Sequence, residues 1–103
     1  MKQIAITPVE LDLVRAILAL HVPEREVRVF GSRVAGPEKK FSDLDLVVMG
    51  DTPLSSSVLA DLEEGFRESD LPFKVDVVEW ATTKETFRRI IEREYVVVQK
   101  KKD

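Results

Sequence analysis

Phe30-Gly31-Ser32-Arg33-Val34-Ala35-Gly36-Pro37-Glu38-Lys39-Lys40-Phe41-Ser42-Asp43-Leu44-Asp45-Leu46-Val47-Val48 is the stretch that decides the fold. Leu44 to Met49 is apolar apart from Asp45, which predicts a strand. Asp43 and Asp45 lie two apart at its start. The period of two places both carboxylates on one face and turns Leu44, Leu46 and Val48 toward a core. Two acids held side by side repel, and one stays protonated unless a cation compensates. Oxygen-only ligands on a rigid strand suit magnesium, which accepts few protein ligands and completes its shell with substrate phosphates. Gly31-Ser32 follows a second short strand, Val27-Arg28-Val29-Phe30, and leads into a possible helical turn. Glycine lets a backbone approach a phosphate closely, and amides at a helix start attract its charge, as does the Ser32 hydroxyl. Arg33 is placed either to add a cation there or to face solvent.

Working outward, Thr7-Pro8-Val9-Glu10 reads as a capping box with proline at the first helical position. Val9, Leu13, Ile17 and Leu20 recur at helical spacing, Val14 and Leu18 widen the stripe, and Pro23 ends the helix. Ser55 or Ser56 caps a second helix reaching about Ser69, with Val58, Leu59, Leu62 and Phe66 inward. Phe73 to Glu79 reads as a third strand with Phe73, Val75 and Val77 on one face. Thr82 and Glu85 form another predicted capping box, before a helix that turns Phe87, Ile90 and Ile91 inward. Tyr95-Val96-Val97-Val98 is strongly β-prone and adds a last strand. The expected fold is α/β (α+β): a small mixed sheet of three to five strands packed with helices, in a single domain over residues 1–103.

Asp76 stands within the apolar run Lys74-Val75-Asp76-Val77-Val78. A charge there is costly unless paired, solvated or metal-bound. If its strand neighbours that of Asp43 and Asp45, three carboxylates converge and can hold two metal ions. The bland readings are a solvated strand end for Asp43 and Asp45, an edge charge for Asp76, partly neutralised by Lys74, and a plain turn for Gly31-Ser32. His21 reads as a helix-end residue, and Trp80 as core or interface packing.

Composition narrows the function. The 103 residues include 16 Lys and Arg against 19 Asp and Glu, a net charge of −3. Tight general binding to a nucleic-acid backbone is therefore not expected, since that needs a basic surface. Lys100-Lys101-Lys102, the one basic run, reads as a solvated tail. Without cysteine, neither a disulfide nor a thiolate metal site can form. No apolar run is long enough for a membrane span, and Met1-Lys2-Gln3-Ile4-Ala5 lacks a signal-peptide core, so a cytoplasmic protein is expected.

Gly31-Ser32, ten intervening residues and Asp43-Leu44-Asp45 resemble the signature of the polymerase-β-like nucleotidyltransferases. The likeness is nearest to the minimal nucleotidyltransferases (MNT), the antitoxin halves of MNT–HEPN pairs. It extends to Val75-Asp76-Val77-Val78 and to Phe87-Arg88-Arg89-Ile90-Ile91-Glu92-Arg93-Glu94. Tyr95 departs from it, standing where glycine is frequent. The resemblance implies that Asp43, Asp45 and Asp76 ligate Mg2+, two ions in all, and that Gly31 and Ser32 bind the triphosphate. It implies transfer of AMP from ATP to a tyrosine of a helical HEPN-type toxin, within a hetero-oligomer. The alternative is a binding module that neutralises such a partner by covering it.

Overall fold

The computed structural model describes residues 3–37 and 42–102. Part of the ten-residue gap between Ser32 and Asp43 thus lies outside the described residues. Helix α1 (Pro8–His21) is followed by β1 (Val27–Phe30), a short α2 (Ser32–Ala35) and β2 (Leu44–Val48). Then come α3 (Ser56–Arg67), β3 (Val75–Glu79), a 3₁₀ turn (Trp80–Thr82), α4 (Glu85–Arg93) and β4 (Val96–Gln99).

The strands form one mixed sheet in the order β3-β2-β1-β4. β1 pairs antiparallel with both β2 and β4. β2 and β3 are parallel, which requires a crossover, and α3 supplies it. Alternation along each strand divides the sheet into two faces. On one, Val27, Val29, Leu44, Leu46 and Val48 pack with Val14, Leu18, Leu62 and Phe66 of α1 and α3. On the other, Phe30, Val47 and Ile91 form a smaller cluster, flanked by Val78, Trp80 and Tyr95.

The expected capping box opens α1: Glu10 N–H donates to Thr7 Oγ1 at 3.1 Å, and Thr7 N–H to Glu10 Oε1 at 2.9 Å. Ser55 caps α3 by accepting from Val58 N–H. The buried stripe of α1 is the expected one only in part: Val14, Ile17 and Leu18 turn inward as read. Val14 and Leu18 are its centre, with Leu11 and Ile17 beside them, whereas Val9 and Leu20 are mostly exposed. Leu11, Val14 and Leu18 are also at helical spacing, and the sheet selects that register. The third strand begins at Val75 rather than Phe73, although Leu44 N–H already donates to the Lys74 carbonyl, so the difference is one of strand ends.

The predicted box at Thr82 and Glu85 does not form. α4 starts at Glu85, its N-cap Lys84 makes no side-chain cap bond, and Thr82 and Thr83 instead donate to the Glu79 carbonyl. Those hydroxyls are taken up in closing the 3₁₀ turn. His21 packs α1 against α3, with its Nε2 close over Gly65. No helix among the described residues is long and apolar enough to cross a membrane.

Candidate nucleotide site

The sheet register places the acids. Phe30 on β1, Asp45 on β2 and Asp76 on β3 are successive partners across three strands. Adjacent strands are about 4.8 Å apart, so Asp45 and Asp76 stand side by side on one face. It is the face opposite the main core. Asp43 precedes β2 by one residue and shares the parity of Asp45. Asp43 and Asp76 are exposed and Asp45 is half-buried. Burial raises the Asp45 carboxyl above its ordinary value, and the charges of Asp76 and then Asp43 push it the same way. No ion pair joins Lys74 to Asp76 among the described residues.

Gly31 closes on Asp45 from β1. Its φ of 85° and ψ of −160° belong to a region open essentially to glycine. A Cβ there would collide with the Asp45 carboxylate. The glycine is required twice, by its backbone and by the acid beside it. Ser32 is the first residue of α2, directly after this bend. Gly31, Asp45 and Asp76 line one cleft of about 450 Å³ with Phe30.

The fourth element at this cleft is α4. Ile91 is fully buried, but Phe87 and Ile90 are 39% and 53% exposed and line the cleft along with Arg93. This corrects the expectation that Phe87 and Ile90 point into the core. Periodicity showed that these residues share a face; it did not show that part of the face borders a cleft. The Phe87 ring meets Phe30 edge-on, with centroids 5.7 Å apart.

Arg33 turns neither to the cleft nor to solvent. It is 6% exposed, donating from Nη1 to the Ala5 carbonyl at 2.7 Å and from Nε to the Ser42 carbonyl at 2.9 Å. Its guanidinium also lies 4.2 Å from the Phe73 ring centroid. It ties the N-terminal segment to the residue just before Asp43. Replacing Arg33 with methionine is expected to lower the unfolding free energy by about 2 kcal/mol, because two carbonyls lose charged donors. Urea titration measures this, and unchanged stability would contradict the clamp.

Among the described residues no three acidic or histidine side chains are gathered tightly enough to hold a metal ion unaided. The donor chemistry nonetheless suits magnesium. The oxygens are hard, they share an open face, and a divalent cation would offset both the burial of the Asp45 charge and its repulsion by Asp76 and Asp43.

The sequence matches the polymerase beta nucleotidyltransferase family over residues 15–103. It is 50% identical over 99 residues to the probable protein adenylyltransferase MntA of Haemophilus influenzae, covering 96% of this chain and 87% of that one. It is 34% identical to the protein adenylyltransferase MntA of Thermococcus cleftensis, covering 85% and 95%. A crystal structure of a toxin–antitoxin with AMP-PNP shares the fold, with a TM-score of 0.71 at 19% identity over 85% of this chain and 71% of that one. So does a chain of the solved complex of tri-AMPylated Shewanella oneidensis HEPN toxin with MNT antitoxin, with a TM-score of 0.65 at 16% identity over 87% of this chain and 69% of that one. The row of acids beside a glycine bend, the mixed sheet that presents it and these likenesses agree: the chain belongs to the polymerase β nucleotidyltransferase family, among the minimal nucleotidyltransferases of the MntA kind.

Proposed function

We propose that this chain is a magnesium-dependent adenylyltransferase that moves AMP from ATP to a tyrosine of a HEPN-type toxin and thereby neutralises it. It would act in the cytoplasm, as part of a hetero-oligomer with that toxin. The observation that carries the reading is the adjacency of Asp45 and Asp76 on neighbouring strands, in the same cleft as Gly31. The names of the MntA relatives and of the AMPylated HEPN complex support the choice of nucleotide and acceptor.

In the reaction, the tyrosine oxygen bonds to the α-phosphorus of ATP. The bond to the bridging oxygen breaks, pyrophosphate leaves with that electron pair, and the phenolic proton passes to solvent. Asp43, Asp45 and Asp76 would hold two magnesium ions. Held by these carboxylates, the ions would supply a lowered pKa at the attacking oxygen and charge neutralisation on the leaving group. The Gly31–Ser32 bend would receive the triphosphate. The rigid strands keep acids and bend in fixed register, so positioning supplies much of the catalysis.

The test mixes the chain with ATP, magnesium and a HEPN-type toxin, and reads the partner's intact mass. Added adenylyl units are expected with the wild type and none with the Asp43→Asn/Asp45→Asn double variant. An unmodified partner, or modification by the double variant, would contradict the reading. The exposed Phe87, Ile90 and Val97 favour a second reading, a module that neutralises by covering its partner. Full neutralisation by the double variant without ATP would select it.

A further inference from the structure

We infer that α4 is the nucleotide-gripping wall of the cleft: Arg93 binds the phosphate chain, and Phe87 with Ile90 forms the apolar platform for the base. The inference rests on the nucleotidyl-transfer reading and extends it to residues outside the glycine–serine and aspartate motifs.

Three observations converge. The first is charge. Asp45, Asp76 and Glu94 line the cleft, and metal ions held there would offset the charge of the two aspartates, leaving a triphosphate in need of a further cation. The Arg33 guanidinium is buried against Ala5, Ser42 and Phe73, so it does not serve. Arg93, an exposed residue at the end of α4, lines the same cleft as the two acids. It makes no ion pair among the described residues. Guanidinium suits phosphate because its donors form a planar fork.

The second is exposed apolar surface. α4 buries Ile91 but leaves Phe87 and Ile90 open to the cleft rather than to the core. The third is preorganisation. Edge-on contact with Phe30 restrains the Phe87 ring beside the acid row, so a base can stack on it with little ordering cost. A plainer role exists for Arg93, since a cation in the last turn of a helix offsets its dipole. That role would affect melting and leave ligand preference unchanged.

The experiment is calorimetric titration of the wild type and of Arg93→Gln, Arg93→Lys and Phe87→Ala with ATP, AMP and inorganic tripolyphosphate, all in magnesium. Melting without nucleotide serves as the folding control. Arg93→Gln is expected to weaken ATP and tripolyphosphate by about tenfold or more, and AMP less, while Arg93→Lys retains part of the affinity. Phe87→Ala is expected to weaken ATP and AMP alike by about tenfold and leave tripolyphosphate unchanged. If the wild type binds ATP and the Gln and Ala variants match it, the assignment of α4 is overturned while nucleotidyl transfer stands. If the wild type binds no ATP, nucleotidyl transfer itself fails and the α4 assignment falls with it.

Discussion

Asn in place of Asp45 is expected to cut transfer on the order of a thousandfold and, in the absence of metal, to make the protein melt at a higher temperature. The first effect follows from removing a central metal-holding carboxylate, since a catalytic metal contributes several kcal/mol of charge stabilisation and each ~1.4 kcal/mol is a factor of ten. The second follows from electrostatics. Burial, then Asp76, then Asp43 raise the Asp45 pKa in the folded chain above its ordinary 3.8. The folded state therefore binds more protons than the unfolded one across the window between those two values, and stability falls as pH rises through that window. Above it the penalty is constant, and Asn removes it. Thermal melts in EDTA check this. The variant should exceed the wild type at pH 7, and the gap should shrink as pH falls through the raised Asp45 value and below 3.8, where that carboxyl is protonated in the folded and unfolded chain alike. A variant that melts lower at pH 7 would show that the Asp45 charge is compensated within the chain.

Gly31→Ala is the second large effect, and it acts on both fold and site. The backbone at Gly31 lies where other residues are strained by roughly 1–3 kcal/mol. The added methyl also collides with the Asp45 carboxylate, so either the bend or the acid must move. Displacing a reacting group by about 1 Å costs on the order of a hundredfold in rate. We expect that loss in transfer together with destabilisation of about 2 kcal/mol in urea titration. Alanine at the neighbouring Ser32 adds no such collision and should leave stability nearly unchanged. Wild-type activity in Gly31→Ala would show that the bend does not set the position of Asp45.

Local features were the most legible in the sequence. The Thr7–Glu10 box is written in four residues and forms as read. The alternation of Asp43, Leu44, Asp45 and Leu46 needs only strand geometry to separate acids from core. The adjacency of Asp76 could only be posed conditionally, because it depends on β3 pairing in parallel with β2 across the α3 crossover. Arg33 was misleading for a related reason. Standing next to Gly31-Ser32, it invited a phosphate role. Each step along a helix rotates the side chain by about 100°. In α2 that sends Arg33 to Ala5 and Phe73, 28 and 40 positions away in the chain, contacts that no local pattern records. α4 hid its part similarly. Phe87 and Ile90 look like core residues in sequence, and only the sheet face beneath them shows that they border the cleft.

Titration of ATP into the metal-free chain, repeated in millimolar magnesium and with Asp43→Asn/Asp45→Asn, tests the central claim most directly. Saturable binding that needs both the magnesium and the two aspartates is the predicted result. Equal binding in EDTA and by the double variant would contradict the proposed role of the carboxylates, and so would no binding by the wild type.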